Sequence, residues 1–169
     1  MKKIYLILIL CISSCSHQKK LHYEVKSDPS QKIYVGEVSR NIIENDTLFK
    51  WFGVNYKSFN PKNEAIEIIK SKKNLVNYLI FAGTWCGDTK RELPKFYKIV
   101  DKCEISDENI ILICVDRNKK SLDSLENNFN VKRVPTIIIL KNNLEIGRIV
   151  ERANESLEID LANILKDLN

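Results

Sequence analysis

Histidine is nearly absent. The 169 residues contain two, His17 and His22, and neither is spaced with a cysteine as zinc ligands are. The sequence therefore offers no metal site, and it carries no cofactor motif. Long apolar runs are missing too. The most continuous, Ile4 to Ile12, is too short to cross a bilayer. Basic residues outnumber acidic ones by 27 to 22, a net charge of +5, but the two kinds are interspersed. There is no basic stripe with interleaved aromatics, which argues against a nucleic-acid partner. Abundant Lys, Asn and Ile match the usage of AT-rich bacterial genomes and account for the excess of base without a functional cause. No internal repeat is present.

What is there begins with an address. Met1-Lys2-Lys3 is a short basic start, Ile4 to Ile12 is apolar apart from Tyr5 and Cys11, and Ile12-Ser13-Ser14 precedes Cys15. This is the layout of a secretory signal with the cleavage site of bacterial lipoproteins, where the cysteine is kept and lipidated. Ile9 and Leu10 are too bulky to precede a lipidated cysteine, so Cys15 rather than Cys11 is the expected lipid carrier. The reading is a signal peptide over 1–14, a polar tether over 15–31 and one domain over 32–169. Each acyl CH₂ buried in the membrane contributes about 0.8 kcal/mol, so several chains would hold the protein there. The domain is thus expected outside the cytoplasm on a bacterial membrane, periplasm-facing or at the cell surface, where disulfides persist. About 140 residues suffice for one compact domain and not for two.

Ile33 to Val38 alternates as a short strand. The rest of the extension over 32–59 holds Phe49, Trp51, Phe52, Tyr56 and Phe59 and reads as a strand pair or a covering flap. Over 60–169 the signals sharpen. Asn60-Pro61 reads as an N-cap with proline at the first helical position, ahead of an apolar face made by Ala65, Ile66, Ile68 and Ile69. Leu75 to Ala82 is a buried-type strand that runs into Trp85-Cys86. A helix follows from near Cys86 through Pro94 to about Cys103, then an apolar strand from Ile110 to Val115. Leu122, Leu125 and Phe129 mark another helix. Thr136 to Leu140 and Glu145 to Val150 form a hairpin about Lys141-Asn142-Asn143, and Asn154 caps a last helix bearing Leu157, Leu161, Ile164, Leu165 and Leu168.

This element order, with Trp85-Cys86-Gly87-Asp88-Thr89 at the strand-to-helix turn, resembles the thioredoxin-like superfamily. Pro94 stands eight positions after Cys86, where thioredoxins kink their active-site helix. Val134-Pro135-Thr136 resembles the family's cis-proline turn, and Gly147 falls in the last strand as in family members. The resemblance covers about 60–169. It implies an α/β thioredoxin-like fold, a central mixed β-sheet flanked by helices on both faces. It also exposes three departures. The family's second cysteine is Thr89, its buried acidic residue six positions before the nucleophile is Ile80, and the lysine paired with that acid aligns with Leu112.

The resemblance makes Cys86 the nucleophile, at a helix start where unpaired N–H groups and the dipole favour a thiolate. Trp85 is expected to shield it, Gly87 to let the chain turn, and Thr89 to donate a hydrogen bond to the sulfur. Asp88 either opposes the dipole's effect on the thiolate or serves as an ordinary first-turn acid. Val134, Pro135 and Thr136 would present the carbonyl of Arg133 or Val134 as an edge for an incoming peptide. Cys103 lies about 25 Å along the helix from Cys86, beyond disulfide reach, and Cys114 reads as a core thiol, with a Cys103–Cys114 bridge conceivable. Protein thiols or disulfides are the expected partners, and resolution must come from an external thiol or partner protein. One reading is a tethered monothiol oxidoreductase or isomerase. The alternative is a non-catalytic module that holds a peptide at the proline edge. A cluster binder of the monothiol glutaredoxin kind lacks a matching signature.

Overall fold

Alternating and continuous apolar segments assemble into one mixed sheet. The computed structural model describes residues 21–28 and 31–168, so Cys15 and the segment 1–14 lie outside the described residues. Two strands, β1 (Tyr23–Asp28) and β2 (Gln31–Val38), precede helices α1 (Arg40–Glu44), α2 (Lys50–Ser58) and α3 (Asn63–Lys72). Strand β3 (Asn77–Ala82) leads into α4 (Gly87–Cys103), followed by β4 (Ile110–Cys114) and the short α5 (Leu125–Asn128). The chain ends with β5 (Thr136–Lys141), β6 (Leu144–Val150) and α6 (Leu157–Leu165). The sheet order is β1-β2-β4-β3-β5-β6, with β3 and β4 parallel and every other pair antiparallel.

Period-2 geometry sends alternate residues of β3 into two cores. Tyr78, Ile80 and Ala82 join the larger one, against Ile66 and Ile69 of α3, Leu93, Phe96 and Val100 of α4 and Leu161 of α6. Leu79 and Phe81 join Ile113, Val115, Val131, Val134 and Ile138 on the other face. The β5–β6 hairpin turns at Asn142 and Asn143, whose φ of 52° and 64° suit the mirror-image turn that joins twisted strands.

Several boundaries differ from the sequence expectation. The supposed tether already belongs to the sheet from Tyr23, because β1 pairs with β2 from Tyr23↔Gly36 to Asp28↔Gln31. Gly36 permits this approach: its φ is +109°, and a Cβ there would lie 2.4 Å from the His22 carbonyl oxygen. Residues 41–59 form α1 and α2, not a strand pair or a flap. Phe52, Tyr56 and Phe59 recur at helical spacing, and Phe52 packs on Tyr97 with centroids 6.0 Å apart. These helices run along α4. Asn55 donates to the Lys90 carbonyl (3.0 Å), while Arg40 (2.6 and 2.8 Å) and the Tyr56 hydroxyl (2.6 Å) hold the Asp101 carboxylate.

Helix α3 begins after Lys62, and Pro61 is buried ahead of it instead of serving as its first residue. Helix α6 begins after Ser156, not Asn154, because the Asp160 carboxylate draws back the N–H groups of Asn154 (2.6 Å) and Glu155 (3.3 Å). The helix expected around Leu122–Phe129 shrinks to four residues. Ser and Asn compete with helical bonding there, and buried Glu126 accepts from the N–H (3.1 Å) and hydroxyl (2.5 Å) of Ser121. The second face of the sheet is consequently covered mainly by loop.

The integration of α2 is measurable. Phe52→Ala is expected to lower unfolding free energy by about 3–5 kcal/mol, since it empties a fully buried aromatic site. Leu48→Ala, at a position 64% exposed, should stay within about 0.5 kcal/mol. Urea denaturation distinguishes them, and equal stabilities would make α1 and α2 an appendage.

Candidate active site

Four residues, Gly83 to Cys86, carry the chain from the end of β3 into α4. The Cys86 N–H donates back to the Gly83 carbonyl (2.8 Å), closing a turn, and the Cys86 carbonyl accepts the first helical bond from Lys90 (3.0 Å). Cys86 is therefore the N-cap, with φ −83° and ψ 129°. Its sulfur stands at the end of the helix where backbone N–H groups lack intrahelical partners.

Each neighbouring side chain fixes this turn. The buried Thr84 hydroxyl donates to the Lys32 carbonyl (3.0 Å) and accepts from the Tyr34 N–H (3.4 Å), tying the turn to β2. The Trp85 indole N–H donates to the Val115 carbonyl (3.0 Å). Its ring lies over Gly83, where a Cβ would come within 2.8 Å of it. Thr84 carries no local sequence signal, because its role depends on a strand 50 residues away.

Thr89 does not bond the sulfur as expected. It is fully buried, and its hydroxyl oxygen accepts from the Gly83 N–H (3.1 Å), clamping the first helical turn onto the end of β3. Gly87 also departs from expectation. Its φ lies outside the left-handed region and a Cβ there would meet nothing within 4 Å, so the turn does not require glycine. Asp88 is held by Arg91 (2.6 Å) and Arg152 (3.1 Å). The Arg91 hydrogen bond first, with help from Arg152, keeps its carboxyl below the usual range, and its charge near the thiol is shared between two guanidinium groups. Arg152 lies 64 residues away in sequence and gave no local signal.

Across the sheet, β5 supplies the opposing wall. The Cys86 thiol donates to the Val134 carbonyl with an S···O distance of 3.2 Å. The Val134–Pro135 bond is cis. The Thr136 hydroxyl donates to the Arg133 carbonyl (2.7 Å), and the Pro135 carbonyl accepts from the Glu151 N–H (2.7 Å). Val134, Pro135 and Thr136 are buried, and both carbonyls expected to form a free edge already have donors.

The remaining thiols stand apart. Cys103 is buried and donates weakly to the Ile66 carbonyl (3.6 Å), while Cys114 is sealed in the sheet. Both are free, so the conceivable Cys103–Cys114 bridge is not formed. Burial pushes the Cys103 thiol up to about 11 and the Cys114 thiol up to about 12. Ile80 and Leu112 are direct cross-strand partners, buried in the core beneath α4. An apolar pair thus occupies the place where the resemblance puts a buried acid and lysine. Among the described residues no cluster of His, Cys, Asp or Glu could hold a metal.

A raised thiol pKa leaves the protonated form in place as pH climbs. At pH 8 about a thousandth of a thiol titrating near 11 is thiolate. Iodoacetamide at pH 8 should accordingly modify Cys86 in the native protein and spare Cys103 and Cys114, whereas all three react in denaturant. Site-resolved peptide mass spectrometry reads the outcome, and native labelling of Cys103 or Cys114 would contradict the sealed-thiol description.

Comparison with known proteins agrees with this geometry. A sequence-family profile described as thioredoxin matches residues 46–163. The chain is 31% identical over 97 residues to a thioredoxin of Mycoplasma genitalium, covering 57% of this chain and 87% of that one. It is 35% identical over 81 residues to a protein disulfide-isomerase of Datisca glomerata, covering 48% of this chain and only 15% of the isomerase. A solved Pseudomonas aeruginosa protein of unknown function shares the fold, with a TM-score of 0.57 at 14% identity over 76% of this chain and 90% of its own. The matched span runs from just before α2 through the Cys86 turn and the Val134–Pro135 turn into α6: the chain belongs to the thioredoxin family.

Proposed function

We propose that this chain is a monothiol thiol–disulfide oxidoreductase or isomerase that works through Cys86 on protein substrates. The observation that carries the reading is the partly exposed Cys86 thiol at the start of α4, beside Val134, while the other two described thiols are sealed. Its relatives, a thioredoxin and a protein disulfide-isomerase, make thiol–disulfide exchange the natural chemistry for that sulfur.

Each S–S bond formed in the steps is matched by one broken, and any net reduction draws its electrons from an external thiol. The Cys86 proton passes to water or a solution base, leaving the sulfur at the helix end where first-turn N–H groups lack intrahelical partners. Loss of the S–H donor frees the Val134 carbonyl as the sulfur becomes nucleophilic. The thiolate attacks one sulfur of a substrate disulfide, a Cys86–substrate S–S bond forms, the substrate S–S bond breaks, and the second sulfur leaves as thiolate. Thr89 is no thiol and Cys103 and Cys114 are out of reach, so an external thiolate, or another thiolate of the substrate, must attack the mixed disulfide and return Cys86 to its anionic form. In the second case the substrate's disulfides are rearranged and their number is unchanged.

The binding-module alternative needs free acceptors at residues 133 and 134. In the resting protein both carbonyls already accept a bond, and reaction of Cys86 releases only that of Val134, while Thr136 keeps its hold on Arg133. Non-reducing gels of cells producing the chain should show Cys86-dependent mixed disulfides that vanish with reductant and in Cys86→Ser. No adduct under oxidising conditions would overturn the reading.

The proposal extends to location. Met1 to Cys15 supports export and lipid attachment at Cys15, which would hold the domain at a membrane where substrate disulfides persist. Among the described residues no helix is long and apolar enough to cross a membrane. Metabolic fatty-acid labelling should mark the protein and be lost in Cys15→Ser. Labelling unaffected by that change would refute the anchor.

A further inference from the structure

The loops that meet at Cys86 each bring exposed positive charge. Val115, which holds the Trp85 indole, is followed two residues later by exposed Arg117, whose guanidinium lies 5.8 Å from the Trp85 ring centroid. Val134, which accepts from Cys86, follows exposed Lys132 and Arg133. Pro135 holds Glu151, and the next residue is Arg152. The Arg133 and Arg152 side chains are 66% and 69% exposed.

Three carboxylates lie among this charge, of which Asp116, between Val115 and Arg117, is paired with Lys26 (3.8 Å) and the other two offset part of the basic set. Glu151 pairs with Arg133 (2.9 Å), and Asp88 is shared by Arg91 and Arg152. Arg117 bonds a neutral amide, Gln31 (2.6 Å), and among the described residues neither Arg117 nor Lys132 has a carboxylate partner within ion-pair distance. General basicity does not explain the excess. Residues 21–169 hold 23 basic and 22 acidic side chains, because the four lysines Lys2, Lys3, Lys19 and Lys20 carry most of the net charge. At the opposite end of the sheet, where β2 ends and β4 begins, the sign reverses. A cavity of about 630 Å³ there is lined by Glu37, Glu44, Asp107 and Glu108, with Arg40 the sole basic residue of its lining.

The positive ring is wide. Arg117 follows β4 and Arg152 follows β6, three strand spacings apart in the order β4-β3-β5-β6. At about 4.8 Å per spacing this is roughly 14 Å, the length of four or five extended residues. A small disulfide cannot meet both ends, whereas a polypeptide crossing the site can. Exposed charges of this kind add little to stability but steer encounter and suppress like-charged partners.

Resting on the proposed exchange reaction, we infer that Cys86 selects disulfides lying in acidic polypeptide segments, with Arg117, Arg133, Lys132 and Arg152 as the selecting surface. The selected step is the exchange already described: the Cys86–peptide S–S bond forms while the leaving sulfur departs as thiolate.

The test uses matched peptides whose single cysteine carries a neutral 2-pyridyl disulfide, flanked by Asp and Glu in one and by Lys and Arg in the other. Pyridinethione release from the reduced full chain gives the second-order rates. The acidic peptide should react about tenfold or more faster at low salt, and the ratio should fall toward one as salt screens the surface. Arg117→Gln, Arg133→Gln and Arg152→Gln combined should bring the ratio near one. Because the ratio is taken within one variant, altered intrinsic reactivity cancels, and the salt series on the unaltered chain stands if the variant fails to fold. Neutral 2,2′-dithiodipyridine separates the two claims. Brisk reaction with it but equal peptide rates would overturn charge selection and leave the exchange reading intact, whereas no reaction at Cys86 would overturn that reading. Glutathionyl 2-pyridyl disulfide reacting as fast as the acidic peptide would overturn selection of polypeptides.

Discussion

The antiparallel pairing of β3 with β5 is the constraint on which the site depends. Its last rung is Phe81↔Thr136. Beyond that rung one chain turns through Gly83 to Cys86 and the other approaches through Arg133 and Val134, so the thiol and its acceptor carbonyl, 48 residues apart, meet at one end of the sheet. Apolar burial on both faces holds the pairing, with Ile80 and Ile137 on one side and Leu79 and Ile138 on the other. Thr89 then clamps the helix start onto the end of β3, Thr84 ties the turn to β2, and neither hydroxyl bonds the sulfur.

The chemistry is shaped as much by what is sealed as by what is open. Cys103 and Cys114 are held as thiols by burial, and the Ile80–Leu112 pair places hydrocarbon where proton transfer to a second cysteine would be assisted. Thr89 faces inward and serves the backbone. Among the described residues neither other thiol is open to succeed the Cys86 sulfur, and the proposed mechanism assigns release to a thiol that the partner or solution brings. An acid-selecting rim would matter most for such a site, since the partner determines both capture and release.

Local chemistry made much of this legible in the sequence. The apolar runs at 77–82 and 110–114, the Asn142-Asn143 turn, the helix beginning beside Cys86 and the Val134-Pro135 landmark each carry their signal within a few residues. Over 41–59 the clustered aromatics suit a strand or flap as well as a helix by composition, and only the spacing of Phe52, Tyr56 and Phe59 agrees with the helices formed. Strand β1 escaped because an edge strand declares itself only through its partner, here by way of Gly36. The motif position identified Thr89, but which way its hydroxyl points depends on the Gly83 N–H. The Asp88–Arg152 pair joins residues 64 apart, and no sequence window contains both.

The central claim is that Cys86 captures a disulfide and cannot release it unaided. The direct measurement is the stoichiometry of thiol released when the reduced chain meets excess of a peptide disulfide with no spare thiol, followed by mass spectrometry. One equivalent should be released per Cys86, with any adduct on Cys11 or Cys15 counted separately by mass spectrometry, leaving a peptide adduct on Cys86 that persists until an external thiol is added. Continued release without that thiol, or none at all, would contradict the account.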